Sequence, residues 1–482
     1  MASELKKKTI HGLTWKSIQQ FSLEGFQFLV MLIMARLLTP TDYGTVGMIT
    51  VFISISGIFV SCGFTSALIR MKKPSQADLS TAFFFNLFVS TLFYIILFLI
   101  APLVADFYNM PVLKNVLRVQ ALTLIIGAFN AVQKTTYTIN LDFKRQAQIT
   151  MISSVVASIF GIIMAYTGFG VWALVYQTLF GGIFIGILFW FFSSWRPSLI
   201  FSRESFNKMF DYGYKLLLSS LINTTYSQIY PIVIGKFYSA STLGNFSRAR
   251  HWANLGSQNL TGILNGVTFP VLAKVQDDDK RLENIYRRMI RTSCYIIFPI
   301  MVGLSAVAKP LTLVTIGEKW VFSSYLLQII CFSMMWYPVH ALNLNLLKVK
   351  GRSDLFLRLE IIKKIIGICI LCISVPMGIV AMCYFSIFTS IICLIINTYY
   401  TGKLINVGFI RQMFDIAPTL ILSMVMWVTV LFAIQFFPNK YIQLPVGILI
   451  GAAIYLAGSY LFKFPELKEV LVMYKDIKNR KK

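Results

Sequence analysis

The sequence predicts an all-α polytopic membrane protein of about fourteen transmembrane helices, arranged as two parallel six-helix lobes followed by two C-terminal helices. Three observations predict it. The 482-residue chain is 57% hydrophobic and 13% charged, with a mean hydropathy of +0.71, too apolar for a protein that keeps a polar surface in water. Apolar runs of about 18 residues or more follow one another from Leu13 to Phe462, each long enough to cross the hydrocarbon core as a helix. The Lys and Arg residues behind the net charge of +25 collect in alternate short loops, which is a topology signal rather than a nucleic-acid footprint. The short alternating segments of a β-barrel are absent.

Taken in order, Lys6, Lys7 and Lys8 precede the first apolar segment and no small-residue cleavage site follows, so that segment reads as a retained helix. Gly/Pro punctuation and loop charge place the first six spans near 13–38, 44–69, 81–104, 113–140, 147–166 and 169–193. The next six fall near 209–235, 241–272, 289–308, 321–347, 355–375 and 378–400, and two more near 416–437 and 442–462. Cations mark every second loop: Arg70, Lys72 and Lys73; Lys144 and Arg145; Arg196, Arg203 and Lys208; Lys274 to Arg288; Lys348, Lys350 and Arg352; Lys403 and Arg411. With roughly thirty Lys and Arg on that side against about seven on the other, the positive-inside rule puts both termini in the cytoplasm and makes the number of spans even. Seven cysteines lie within or at the edges of apolar segments, which argues against a disulfide framework or a zinc site.

The first six spans overlay weakly on the next six. ARLLTPTDYG (Ala35 to Gly44) falls on GKFYSASTLG (Gly235 to Gly244), and Lys144, Arg145 and Gly170 fall near Gly351, Arg352 and Gly378. Six is even, so the two halves enter the membrane in the same direction. The expected divisions are 1–200 for an N-lobe, 201–402 for a C-lobe, and 403–482 for two extra helices with a basic cytoplasmic tail.

Polar stripes point to the lumen. Lys16, Gln20, Glu24 and Gln27 stack on one face of the first span, and Lys215, Ser219, Asn223 and Tyr226 repeat that spacing in the seventh. The eighth is the most polar, with Arg250, Asn254, Gln258, Thr261, Asn265 and Thr268 at three- and four-residue steps and Arg248 and His251 alongside. The fourth adds Thr123, Asn130, Lys134 and Tyr137. A charge within a span costs roughly 3 kcal/mol on insertion scales, so such residues face a bundle interior or a wet cavity. Lys16 and Lys215, near their helix starts, are either an electropositive mouth or snorkelling side chains. Glu24, mid-span, is the ion-coupling candidate, or else one half of a permanent ion pair. Lys16, Arg36, Lys134, Lys215, Arg248 and Arg250 outnumber this acid and favour an anionic substrate, with Arg suited to phosphate or pyrophosphate. The candidate substrate-binding set is therefore Lys16, Gln20, Arg36, Lys134, Lys215, Asn223, Arg248, Arg250, Asn254 and Gln258. A single His such as His340 is read as a packing residue. Asp277 to Asp279 matches D-x-D but precedes a basic amphipathic stretch and reads as a helix start. No phosphate-binding G-x-x-x-x-G-K-[ST] loop is present, and the sequence asks for no cofactor, metal or catalytic residue.

Five strings, in order, resemble the polysaccharide transport branch of the multidrug/oligosaccharidyl-lipid/polysaccharide exporter superfamily, whose best-known members are Wzx-type flippases. They are ARLLTPTDYG, GFTSALIR (Gly63 to Arg70), GVWALVYQ (Gly170 to Gln177), LGNFSRA (Leu243 to Ala249) and FPVLAKVQDDDKRL (Phe269 to Leu282). The resemblance is to the colanic-acid-type exporters more than to the drug-extruding branch. It implies two lobes of six helices plus two, alternating access, and a substrate: an oligosaccharide on undecaprenyl pyrophosphate, moved to the outer leaflet of a bacterial inner membrane for lipopolysaccharide or exopolysaccharide synthesis. It also implies coupling to a proton or sodium gradient, and a pathway shared with a polysaccharide polymerase and glycosyltransferases. The competing expectations are a drug or metabolite antiporter of the same fold, which prefers an acidic lumen, and a membrane-embedded glycan enzyme, which needs larger outer loops than Ala105 to Val112 or Lys309 to Trp320.

Overall fold

A computed structural model describes residues 23–71 and 73–470, and among these every regular element is helical. Helix α1 covers residues 23–37. It is followed by α2 (Pro40–Ser61), α3 (Phe64–Arg70), α4 (Gln76–Tyr108), α5 (Val112–Gln120), α6 (Leu122–Ile139), α7 (Phe143–Tyr166), α8 (Val171–Phe192) and α9 (Arg203–Phe237). A long interrupted helix comes next, α10 (Ala240–Asn254) and α11 (Leu260–Lys274), joined by one π turn at Leu255–Asn259. The rest are α12 (Asp279–Ala306), α13 (Ala308–Thr315), α14 (Val321–Met334), α15 (Tyr337–Val349), α16 (Ser353–Ser374), α17 (Ile379–Ile405), α18 (Phe409–Gln435) and α19 (Lys440–Leu461).

The expected spans fall on these helices or on pairs of them. By length and apolarity alone, ten helical stretches qualify to cross a membrane among the described residues. Helices α9, α10–α11 and α16 are not among these, and each carries polar or charged side chains within its expected span. Helix ends follow capping chemistry. Thr39 with Asp42 and Ser75 with Asp78 form capping boxes at the starts of α2 and α4, and Asp142, Ser202 and Asp278 cap α7, α9 and α12. Asn109 and Asn406 close α4 and α17 in the left-handed region, which asparagine tolerates. Asp278 accepts from the Arg281 amide at 3.0 Å, so the D-x-D string is a helix start.

Corner geometry repeats along the chain. Backbone amides of Leu38 and Tyr43 donate to the carbonyls of Met34 and Thr39, and those of Tyr238 and Leu243 donate to Ile234 and Ser239, an offset of 200 throughout. Amides of Asn140, Leu141 and Asp142 donate to Thr136, Thr138 and Tyr137, and those of Lys350, Gly351 and Arg352 donate to Leu346, Lys348 and Leu347, an offset of 210. Leu141 and Gly351 both take positive φ, 56° and 69°.

By contacts the chain divides into Met1–Gly244 and Asn245–Lys482. In the first unit, α7 and α8 pair and α2 packs against α4 and α9. The seventh span, α9, thus lies with the elements that precede it. Cys62, Phe64, Phe83, Val132 and Met209 form one of its cores. The segment after α8 is pinned to α4: Gln76 donates to the Arg196 carbonyl at 2.7 Å and the Ser202 amide donates to Thr81 at 2.9 Å. Phe88, Leu99 and Leu103 on α4 are each 67% exposed, the face for lipid.

The second unit is built round α12, 61% of whose apolar window is buried, more than in any of the other qualifying helices. Leu282, Tyr286, Ile290, Cys294, Ile297 and Met301 recur at helical spacing along its buried side. Polar networks join its neighbours. Asn343 on α15, Thr401 on α17 and Gln412 on α18 are fully buried and exchange hydrogen bonds of 2.6–3.1 Å. Arg287 forks onto Asp415 at 2.6 and 2.7 Å, Arg411 meets Glu283 at 2.8 Å, and Arg288 meets Glu469 at 2.6 Å.

Candidate functional site

The polar stripes land in both units. In the first, Glu24 is half-buried on α1 and Arg36 is exposed at the far end of that helix, and each is engaged within the protein. Lys16 and Gln20 lie outside the described residues. Lys134 on α6 and Lys215 on α9 are exposed and make no ion pair among the described residues, although the Lys215 amine lies 5.7 Å from the ring centre of Tyr214. Asn223 is exposed on α9 and engaged. From Tyr214 to Ser220 nearly every α9 side chain is exposed, as in a helix that borders open space.

In the second unit, Arg248 and Arg250 sit two residues apart and so on different faces of α10. Arg248 is 6% exposed with its guanidinium 5.3 Å from the ring centre of Trp320, while Arg250 is half-buried and engaged. Asn254 has a buried Oδ1 with no hydrogen-bond partner among the described residues, and Gln258 is half-buried in the π turn. That turn puts one extra residue into the helix, and Gly256 within it lies so close to Met301 that a Cβ would sit 2.9 Å from the sulfur. Of two further stripe members, Asn265 serves as a helix tie, accepting from Asn345 at 3.2 Å, whereas Thr261 is 1% exposed with its hydroxyl unpartnered among the described residues.

Beside the π turn opens an apolar cavity of about 710 Å³, walled by Trp252, Leu260, Pro299, Leu304, Met426 and Leu456 among others from α10, α11, α12, α18 and α19. Gly447 and Gly451 on α19 keep it narrow at Val430, where a Cβ would come within 3.5 and 3.3 Å. The two helices beyond the repeat are therefore its wall. A smaller pocket of about 380 Å³ in the first unit is lined by Gln27 together with side chains of α7 and α8.

Some cations are matched by carboxylates and others are not. At the loop ends, Lys208 pairs with Glu204, Lys350 with Asp279 and Arg352 with Asp354. The Arg352 fork holds the Asp354 carboxyl down at about 2, below the usual carboxylate range. Lys134 and Lys215 have no such counter-ion among the described residues, so their positive charge is available to a ligand.

Sequence reasoning missed an ion pair. Glu360 and Lys363 on α16 meet at 2.5 Å with side chains 27% and 14% exposed, so Glu24 is accompanied by another mid-span acid, one already paired with a lysine. Its signal was the i, i+3 spacing of opposite charges in an otherwise apolar run. His340 is a packing residue: Asn397 donates to its Nδ1 at 3.1 Å, which leaves Nε2 protonated to donate to Ser390 at 3.1 Å.

The chain is 22% identical over its full length to the succinoglycan biosynthesis transport protein ExoT of Rhizobium meliloti (strain 1021), covering 98% of that protein. It is 24% identical to the lipopolysaccharide biosynthesis protein WzxC of Escherichia coli (strain K12), over 74% of this chain and 73% of that one. Among solved structures, the lipid II flippase MurJ in an inward closed conformation superposes with a TM-score of 0.72 at 17% identity, covering 92% of this chain and 98% of that one. An inward-facing multidrug resistance MATE transporter of the MOP superfamily superposes with a TM-score of 0.61 at 16% identity, covering 78% and 95%. The fold is therefore that of MurJ and the MATE transporters, and because residues 33–325 match the profile of the polysaccharide biosynthesis protein family, more than half of its length, the chain belongs to that family.

Proposed function

We propose that this protein is a flippase that carries a lipid-linked oligosaccharide, on undecaprenyl pyrophosphate, from the cytoplasmic to the outer leaflet of a bacterial inner membrane for surface polysaccharide synthesis. The chain crosses the membrane fourteen times with both termini in the cytoplasm, and it works by alternating access. The observation that carries this function is the pair of ammonium groups, Lys134 and Lys215, that have no counter-ion among the described residues and lie on polar-striped spans. A pyrophosphate cannot enter hydrocarbon without counter-charge, and fixed cations along the path supply it while the sugars stay in water. Arg36, Arg250 and the polar Asn223, Asn254 and Gln258 continue that lining, and Lys16 and Gln20 extend it. The apolar cavity against α18 and α19 suits an isoprenoid chain, whose burial gains roughly 0.8 kcal/mol per CH₂ taken out of water but nothing against lipid, so the tail slides rather than sticks. Glu24 is the candidate to couple the cycle to an ion gradient. A relative named as a succinoglycan biosynthesis transport protein and another named for lipopolysaccharide biosynthesis support this function, as does a fold shared with a lipid II flippase, and together they favour a transporter over a glycan enzyme. A polymerase and glycosyltransferases of the same pathway are the expected partners.

Sidedness of the lipid-linked glycan tests this directly. On depletion of the protein, a lectin that reads only the outer leaflet should lose its signal as lipid-linked units accumulate facing the cytoplasm, and purified protein in liposomes should restore crossing. Charge reversal at Lys134 and Lys215 together, or at Arg250, should lower that crossing at least tenfold while the protein stays inserted. Unchanged sidedness with raised sensitivity to cationic drugs would move the protein to the antiporter function.

A further inference from the structure

The pocket of about 380 Å³ in the first unit lies among α1, the first turn of α2, α7 and α8, and none of its lining side chains is an acid, a lysine or an arginine. Its polar lining comprises Gln27, Tyr43, Ser154, Ser158, Gln177 and Thr178. The rim is open at Gln27 and Thr178 and the floor is closed at Ala157 and Ser158. Ser158 is 4% exposed, and its hydroxyl has no hydrogen-bond partner among the described residues. The Gln27 and Gln177 amides and the Ser154 hydroxyl are likewise unmatched among those residues. Thr178 already donates to the Leu174 carbonyl at 2.9 Å and keeps only acceptor capacity. Gly161 makes room for Gln177: a Cβ there would meet the Gln177 side chain at 2.8 Å, so the glycine lets the amide lie flat on α7.

The lining selects a ligand class. A bare cation finds no carboxylate, and a phosphate finds no Lys or Arg. Water alone is a poor match for the volume, since a water molecule occupies about 30 Å³ of liquid. A purely apolar guest would strand two amides and two hydroxyls without partners, each at a desolvation cost. What satisfies all of them is a neutral, polyhydroxylated ring. Each sugar hydroxyl both donates and accepts, a carboxamide offers a donor and an acceptor side by side to a vicinal diol, and Tyr43 presents an aromatic surface for the ring's C–H face.

We propose that this pocket is a saccharide subsite that takes one pyranose ring of the transported lipid-linked oligosaccharide. The assignment rests on the flippase function argued above and adds specificity to it: cations hold the pyrophosphate common to all such lipids, while Gln27, Ser154, Ser158 and Gln177 read the sugar. A side chain lost here removes one or two neutral hydrogen bonds, which corresponds to roughly a tenfold loss of the sugar-dependent affinity.

The test uses the full chain in nanodiscs and two kinds of probe: undecaprenyl pyrophosphate alone, and undecaprenyl pyrophosphate bearing one gluco-, galacto-, manno- or N-acetylgluco-configured residue. Binding is read by intrinsic tryptophan fluorescence. At least one glycosylated probe should bind about tenfold or more tighter than the bare lipid. Ser158→Val, which fills the floor, and Gln177→Leu should each erase that gain while leaving the affinity for the bare lipid unchanged, which also shows that the variants are folded. Gln27→Leu, at the exposed rim, provides a third variant with little folding risk. The subsite is overturned if no sugar adds affinity, or if the gain survives these substitutions. If the bare lipid itself fails to bind, the flippase function falls and the subsite with it.

Discussion

Asp415 shows what a single charged side chain is asked to do in this fold. Its carboxylate is 7% exposed and takes both arms of the Arg287 guanidinium, 28% exposed, at 2.6 and 2.7 Å. Removing one partner leaves the other charge with its desolvation uncompensated, whereas removing both does not. Asp415→Asn should therefore destabilise the protein by roughly 3 kcal/mol, the lower end for breaking a buried pair. Arg287→Gln in the Asp415→Asn background should cost little more, since the coupling is already lost. Denaturation in detergent, followed by tryptophan fluorescence across the four-member cycle, measures that coupling. Strictly additive losses would show that Arg287 and Asp415 do not depend on each other. The same logic applies to Lys134 and Lys215, which have no carboxylate to lose among the described residues, so that their substitution should affect transport without affecting stability.

At the scale of an element, the start of α2 is the most tightly constrained corner in the described chain. A Cβ on Gly44 would stand 1.6 Å from the Ala240 carbonyl oxygen, and one on Gly244 would stand 1.9 Å from that of Pro40. These glycines occupy equivalent places in the two repeats, so each repeat's corner is seated on the backbone of the other. Backbone cannot swing aside as a side chain does. Gly44→Ala should force the starts of α2 and α10 apart and abolish transport, whereas Gly57→Ala, in the same helix with nothing within 4 Å, should be neutral or stabilising by up to about 1 kcal/mol. Thermal unfolding and the lectin assay on the two variants check this, and equal behaviour would refute the corner contact. The repeat itself was legible because ARLLTPTDYG and GKFYSASTLG keep their turn chemistry, with a Thr or Ser as the N-cap and a Gly five residues later. The helices were legible because apolar length and loop charge are local properties. The polar stripes stood out because charges inside spans are costly and therefore sparse. The sugar-sized pocket was not legible. Ser154, Ser158 and Gln177 are cheap neutral residues whose importance arises only when α7 and α8 close around them. Glu360 and Lys363 were passed over because each cancels the other's charge, and neither stands out in a net count.

For the whole molecule, the positive-inside rule applied to the loop Lys and Arg residues makes the proposed fourteen-span topology testable without any substrate. Ion pairs lie at helix ends on both expected sides: Lys350 with Asp279, Arg411 with Glu283 and Arg288 with Glu469 at ends expected in the cytoplasm, and Lys440 with Glu318 at an end expected outside. Alkaline phosphatase, active only after export, should therefore be active when fused after Asn109, Gly168, Gly317, Met377 or Asn439. It should be inactive after Lys73, Leu141, Gln276, Gly351 or Asn406. The informative fusions are those flanking α9, the interrupted α10–α11 and α16, which are too polar to qualify as spans by composition. A fusion after Tyr238 should be active and one after Gln276 inactive if α10–α11 crosses despite its π turn and polar stripe. Should the two agree, α10–α11 does not span, the number of crossings becomes odd, and the parallel relation between the repeats fails with it. Should they differ, the most polar stretch in the protein crosses the bilayer, which it can do only if Arg250, Asn254 and Gln258 face water or protein rather than lipid.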